Sequence, residues 1–424
     1  MAVTQTDKAI FGRLTRGSTG PGGLSPAAAR VEPASFTRHV TSLTMTKVAD
    51  GLLDPKLVLS WLLTHLGAGA GFVGLLVPIR ESLALLPQLF TAPLIHGMSE
   101  RKWAWALGSI VQGLACLVIV LAALTTSGAT AGVLICGALA VLATARSVCS
   151  VSYKDVLGKT VGQSRRGAVT GSAASVASVG VIVFALMLTV AGEGRAALVI
   201  GAIALAGVLW IGAGAIFLTI AEDPEPGTAA KTPWQQLRLL TEDRQLRLFI
   251  WTRGLLTATA LAPPYLLVLT PAGGAFSHLG SLVLASAAAS FLSSYVWGRM
   301  SDRSSRRVLI LSGVSGALAL AVALILHALG LTQSWWALPF VLFALMIAYH
   351  GVRQGRSTYL VDMAPGDQRA AYTAVSNTVI GVVLMASGLF GALAALFGPA
   401  VTIAAFTLMS GAAAFVATRL DEVE

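Results

Sequence analysis

Charge is what this chain has least of. Asp, Glu, Lys and Arg make up 11% of its 424 residues, against 55% hydrophobic residues. A soluble globular protein carries roughly 25% charged residues, so a soluble fold is excluded. Cysteine is scarce too: Cys116, Cys136 and Cys149 all lie in apolar stretches. They have no metal-ligand spacing and suggest no disulfide framework. The first 30 residues hold no apolar run of the kind a cleavable signal peptide needs. No metal-ligand cluster, nucleophile motif, phosphate loop or pair of acids within one apolar stretch is present. An enzyme, a cofactor and an ATP-driven pump are therefore not expected.

What the chain does have is about twelve apolar stretches, each near the roughly 20 residues that cross a bilayer. They fall at 57–79, 82–98, 103–125, 131–152, 168–190 and 196–220, then at 247–270, 278–298, 308–330, 335–358, 373–397 and 400–418. The second is short, with Arg80 and Glu81 at the outer turn before it. A connection at 221–246 divides an N-terminal half, 56–220, from a C-terminal half, 247–420. Residues 1–55 read as a polar tail, in which Phe36 to Leu53 forms either a surface amphipathic helix or a disordered stretch. On this map all of the 29 Lys and Arg except Arg80 and Arg195 fall on one side. That is the positive-inside pattern of a multi-pass protein of the cytoplasmic membrane, with both termini cytoplasmic. The net charge of +10 then reflects topology and calls for no nucleic acid. Trp103, Trp105, Trp335 and Trp336 sit at span ends, where aromatic belts form. The 44 glycines suit close helix approach within lipid.

The two halves repeat each other. Met98-Ser99-Glu100-Arg101 matches Met300-Ser301-Asp302-Arg303. Arg146 precedes Asp155 by the same interval as Arg353 precedes Asp362. Arg166-Gly167-Ala168-Val169-Thr170 matches Arg369-Ala370-Ala371-Tyr372-Thr373. Three matches in order, at nearly one offset, indicate two six-span halves in parallel repeat.

The run from Gly298 to Arg307 resembles the loop signature of the major facilitator superfamily, through Gly298, Asp302, Arg303, Arg306 and Arg307. Met300 and Ser305 depart from it, and the first-half copy, His96 to Lys102, is degraded, so the resemblance is to a divergent branch. It implies an all-α membrane fold of twelve transmembrane helices in two pseudo-symmetric halves, working as a monomer among membrane lipids. It also implies an inner gate that helps hold the outward-facing state. Its candidate residues here are Asp302, Arg303, Arg306, Arg307, Glu100 and Arg101, with Arg146, Asp155, Arg353 and Asp362 as structural pairs. The same charges could serve only to set topology.

Ionisable groups inside spans are candidate functional groups because burying them is costly. Arg253, near the inner end of the seventh span, has no partner near it in sequence and is the leading candidate to bind a carboxylate or phosphate. His65, placed near the middle of the first span, is a candidate for substrate or a coupling proton. Glu81 with Arg80 is a candidate proton carrier or outer gate, or an exposed local pair. Tyr349, His350, Asn377 and Gln88 offer further polar groups, for substrate or for bridging helices. Pro263-Pro264 bends the seventh span. With no other acid in mid-span, a coupled proton falls to His65, Glu81 or the substrate; otherwise the protein is a uniporter. These features point to a secondary transporter of a small solute by alternating access, and Arg253 to an anionic one. A lipid flippase and a non-transporting assembly or delivery factor on the same fold are the alternatives.

Overall fold

The computed structural model describes residues 3–15, 24–224, 237–269, 279–301, 303–365 and 369–423. After a short α1 (Gln5–Leu14), the first half comprises α2 (Pro26–Leu53), α3 (Val58–His65), α4 (Ala70–Leu85), α5 (Gln88–His96), α6 (Lys102–Thr125), α7 (Gly128–Thr160), α8 (Arg166–Val190) and α9 (Arg195–Leu218). After α10 (Leu239–Glu242), the second half comprises α11 (Arg244–Leu256), α12 (Ala258–Val268), α13 (Leu279–Ser301), α14 (Ser305–Ala328), α15 (Ala337–Met363), α16 (Arg369–Ala386), α17 (Leu389–Phe397) and α18 (Pro399–Ala417). Nine helical segments among the described residues are long and apolar enough to cross a membrane. The broken α2–α3 and α11–α12, and α13, fill the remaining positions of two six-helix halves.

The expected first span, 57–79, is not one helix. The chain reverses between α3 and α4, where Gly67 adopts φ +76°, a left-handed conformation that glycine tolerates. The expected polar tail instead supplies α2, which packs against α8 and α9. Its buried stripe, Ser35, His39, Ser42, Thr46 and Ala49, recurs every three to four residues. These side chains are mostly small and let the backbones approach. His39 Nε2 meets Thr160 Oγ1 at 2.8 Å, so the largest polar member of the stripe is partnered.

The break between α2 and α3 follows from Asp54-Pro55. A residue before proline is pushed away from helical ψ, and Asp54 has ψ 111°. A mid-bilayer break strands backbone groups, which must be satisfied locally. Asp54 Oδ1 accepts from the amides of Lys56 and Leu57 at 2.7 and 3.1 Å. Ser60 Oγ donates to the Pro55 carbonyl at 2.8 Å. The second half breaks at the matching place, between Leu256 and Ala258.

The outer helices pack through glycine. A Cβ on Gly113 of α6 would lie 2.5 Å from the Gly207 carbonyl of α9, and one on Gly313 of α14 would lie 3.0 Å from the Ala414 backbone of α18. Trp103, Trp335 and Trp336 are exposed at helix ends as expected, whereas Trp105 is buried and stacks on Phe217 at 3.9 Å.

The basic connections gather at one end of the bundle. At the other end, the described turns at 66–69, 126–127, 191–195, 329–336 and 398 carry no charged residues except Glu193 and Arg195. Two close backbone approaches between the halves, both at glycines, lie near that sparsely charged end. A Cβ on Gly74 would sit 2.6 Å from Gly391 Cα, and one on Gly280 would sit 2.5 Å from the Thr189 nitrogen.

Candidate functional site

A cavity of about 540 Å³ lies between the halves. Its lining on each helix runs from the middle toward the basic end: Leu57 back to Lys47, Arg80 to Gln88, Arg146 to Ser150, and Met346 to Arg356. Helical periodicity puts Lys47, Asp50 and Asp54 on one face of α2, and Tyr349, Arg353 and Arg356 on one face of α15. Six cations line the cavity, Lys47, Lys56, Arg80, Arg146, Arg353 and Arg356, against three acids, Asp50, Asp54 and Glu81.

The first half pairs both of its cavity arginines. Asp50 Oδ1 meets Arg80 Nη2 at 2.8 Å, and Asp50 Oδ2 meets Arg146 Nη2 at 2.7 Å. One carboxylate thus bridges two guanidinium groups. Asp54 is engaged by backbone amides.

The second half does not balance. Arg353 lies deep between the halves yet open to the cavity, with its guanidinium 5.9 Å from the Tyr349 ring centre. The opposite half sends Lys56 Nζ to the same ring, at 3.4 Å. Arg356 makes no hydrogen bond or ion pair among the described residues. Arg253 is 5% exposed; its Nη1 donates to Ser376 Oγ at 2.7 Å and its Nη2 to Asn377 Oδ1 at 2.9 Å. It has no carboxylate within 4 Å among the described residues. A side pocket of about 30 Å³ adjoins the cavity, lined by Glu81, Arg253, Tyr349, Arg353 and Arg356 among others. Glu81 reaches it from α4 and makes no ion pair within 4 Å among the described residues; its electrostatic neighbours are Lys56, Arg80, Arg356 and Arg353.

Several expectations change in the light of this geometry. Arg80 and Glu81 are not at an outer turn; they lie within α4 and face the central cavity, because that helix begins at Ala70. His65 is not mid-span: it ends α3, is exposed, and stacks on Trp61 at 5.0 Å, so it is remote from the cavity lining. Arg146 pairs with Asp50 and not with Asp155. Arg353 faces Tyr349 and not Asp362, which is exposed near the end of α15. The spans are not empty of acids, since Asp50, Asp54 and Glu81 line the cavity. Tyr349, His350 and Gln88 do line it, with Gln88 Nε2 donating to the Ala84 carbonyl at 2.7 Å. Asn377 lies behind Arg253 as its partner.

Of the expected inner-gate groups at the basic end, Asp155, Arg101, Glu100 and Arg306 pair within their own halves. Asp155 meets Arg101 and His96, each at 3.3 Å. Glu100 meets Lys102 at 3.4 Å and accepts from the Trp103 indole, a bond that holds its carboxyl below the usual carboxylate range. Arg306 donates to the Thr418 carbonyl at 2.7 Å and meets Glu422 at 3.3 Å. Arg303 and Arg307 are exposed, and Asp302 lies outside the described residues.

Lys47, Asp50, Asp54, Lys56 and Arg356 were not among the expected site residues. A sequence signal for them exists. Asp50-Gly51-Leu52-Leu53 matches Arg253-Gly254-Leu255-Leu256 at the offset of the other repeats, which makes α2 the partner of α11.

Residues 256–424 match the family model described as Major Facilitator Superfamily. No curated protein sequence matches the chain. Among solved structures, the fold is similar to a mutant of the nucleoside transporter NupG, with a TM-score of 0.68 at 13% identity, over 92% of this chain and 100% of that one. It is also similar to a POT family transporter in complex with 5-aminolevulinic acid, with a TM-score of 0.69 at 11% identity, over 91% of this chain and 95% of that one. Likeness at such identity carries the architecture and leaves the ligand to be argued from this chain's own residues.

Proposed function

Because the chain belongs to the major facilitator superfamily, we propose that it is a secondary transporter of a small anionic solute. The solute binds in the central cavity and crosses the cytoplasmic membrane by alternating access. The observation that carries this reading is the excess of cations over acids in a cavity of about 540 Å³, a volume within the usual range for small-molecule sites. Paired cations are explained by architecture, but Lys47, Arg353 and Arg356 make no ion pair within 4 Å among the described residues. Guanidinium groups left open in a cleft attract and orient carboxylates and phosphates. A path for lipid would instead favour apolar walls.

The basic end is assigned to the cytoplasm by the positive-inside rule. The bundle is then inward-facing, with the halves in contact at the outer end around Gly74–Gly391 and Gly280–Thr189. The ion pairs seen at the basic end among the described residues lie within single halves and do not tie one half to the other. Both chain termini are cytoplasmic in this arrangement.

The test is a thermal-stability screen of the purified protein against small carboxylates, phosphate esters, neutral metabolites and cations. Uptake of each stabilising compound into proteoliposomes follows. A ligand of the folded state raises the melting temperature by mass action. The expected result is stabilisation by anions and saturable uptake of at least one of them. Stabilisation only by neutral or cationic compounds would overturn the anion assignment, and binding without any flux would overturn transport.

A further inference from the structure

We propose that the anionic head of the solute is taken by the second half alone, in the side pocket built by Arg253, Arg353 and Arg356. In the same proposal, Glu81 is the counter-charge that occupies this pocket's field when no solute is bound. This rests on reading the central cavity as an anion-transport site.

The internal repeat supplies the first argument. Asp50 and Arg253 are equivalent positions, each three residues before the end of the first piece of a broken span. Arg146 and Arg353 are equivalent positions on α7 and α15. In the first half a carboxylate therefore bridges the repeat-related arginine and Arg80. In the second half the same position carries a guanidinium, so the carboxylate is missing from the chain. An anion from outside is the group that would complete the symmetry.

Space supplies the second argument. The side pocket of about 30 Å³ holds roughly two waters, the scale of the paired oxygens of an acidic head. It shares Glu81, Tyr349, Arg353 and Arg356 with the large cavity, so a head lodged there leaves the body of the solute in the 540 Å³ space. Arg253 forms its buried wall. Ser376 and Asn377 fix the two terminal nitrogens, while Nε has no hydrogen-bond partner.

Charge supplies the third. Three guanidinium groups face one carboxylate, Glu81, which reaches in from the first half without a close ion pair. The remainder of two positive charges matches a doubly charged anion better than a single carboxylate. The incoming anion and Glu81 compete for the same guanidinium groups, so removing the Glu81 charge strengthens binding.

The experiment uses the full-length protein in nanodiscs, with inorganic phosphate, succinate and acetate as probes and thermal stability as the readout. Phosphate and succinate are expected to stabilise the wild type more than acetate does. Glu81→Gln should tighten phosphate binding by about tenfold or more, the order of one charge–charge interaction in a partly buried site. Arg356→Gln and Arg253→Asp should each weaken it by at least about tenfold. Arg356 has no hydrogen bond to lose, so Arg356→Gln tests binding with the fold intact. If Arg80→Gln or Arg146→Gln abolishes phosphate binding while Arg356→Gln and Arg253→Asp do not, the head binds the first half. That outcome overturns this inference and leaves the anion-transporter reading standing. If none of the three anions stabilises the wild type, the inference is overturned, and the transport reading is then decided by flux measurements alone.

Discussion

The two halves share a fold and a repeat but treat their cavity charges oppositely. In the first half, Asp50 holds Arg80 and Arg146 at 2.8 and 2.7 Å. In the second half, Arg253 takes the position of Asp50, and Arg353 lies against the Tyr349 ring with no ion pair within 4 Å among the described residues. A duplicated scaffold thus separates two roles: the first half pairs its two cavity arginines through Asp50, and the second leaves its arginines without a carboxylate of their own half in the cavity. The exchange of Asp50 for Arg253 at one repeat position makes part of that difference, and Arg356, which falls opposite Cys149 at the Arg146–Arg353 offset, makes the rest.

The sharpest way to break the comparison is to remove the first half's compensation. Asp50→Ala leaves Arg80 and Arg146 facing each other without a carboxylate. Losing one member of a buried pair costs about 3–5 kcal/mol; the side chains here are between 14% and 33% exposed, so about 2–3 kcal/mol is expected. Thermal melting in the absence of ligand measures it. Removing an unpaired guanidinium from the second half, Arg356→Gln, should leave the melt nearly unchanged. Equal losses from both would remove the asymmetry.

This asymmetry also explains what the sequence hid. The second half was legible: its apolar runs are long, its loop motif from Gly298 to Arg307 is well preserved, and Arg253 stood out in an apolar context. The first span was not legible, because α2 buries small and polar residues such as Ser35, His39, Ser42 and Thr46. A hydropathy reading therefore passed over it and took the next apolar run, Leu57 to Ile79, as the span. Gly67, Gly69 and Gly71 inside that run marked the real turn. Misplacing one span moved Arg80 and Glu81 from the cavity to a turn and His65 from a turn to the midplane. The match of Asp50-Gly51-Leu52-Leu53 to Arg253-Gly254-Leu255-Leu256 was the corrective, and it becomes compelling once both spans are seen to break just after it. Side-chain pairing across helices, such as Asp50 with Arg146, depends on three-dimensional packing that local sequence does not carry.

A second contrast is between the two ends of the bundle. The sparsely charged end is closed by backbone contact at Gly74–Gly391, with the Tyr265 hydroxyl as near as the facing glycine. At the other end, ion pairs tie each half to itself. Gly74→Val puts a branched side chain into that contact, and overpacking of this kind costs about 1–3 kcal/mol. The cost falls only on the arrangement closed at this end. Cysteines placed along α4 and α17 should therefore become more reactive to a membrane-impermeant thiol reagent from outside. Unchanged labelling would show that the glycine contact does not govern closure.

The smallest effect is expected where the halves come closest to agreeing. In the first half, the fully buried side chain of Glu222 accepts from the amides of Arg101 and Lys102, at 3.0 and 2.8 Å, at the start of α6. In the second, Glu422 accepts from Ser304 and pairs with Arg306 at the start of α14. Each carboxylate follows the last helix of its half and sits at the start of the third span, where the helix dipole favours negative charge; Glu222 caps α6 directly, whereas Glu422 supports Ser304, which caps α14 through the Arg307 amide. The difference is burial: Glu222 is enclosed and also meets Lys159 at 3.4 Å, whereas Glu422 is 41% exposed. Losing a cap of the first kind costs about 1 kcal/mol, while water and salt already screen the second. Glu222→Ala should therefore lower the melting temperature measurably, and Glu422→Ala should lower it less. Raising the salt concentration should narrow any loss from Glu422→Ala and leave that from Glu222→Ala in place. Losses that respond alike to salt would show that the two caps work in the same electrostatic surroundings, and the halves would then differ in their cavity charges and not in how their basic ends are fastened.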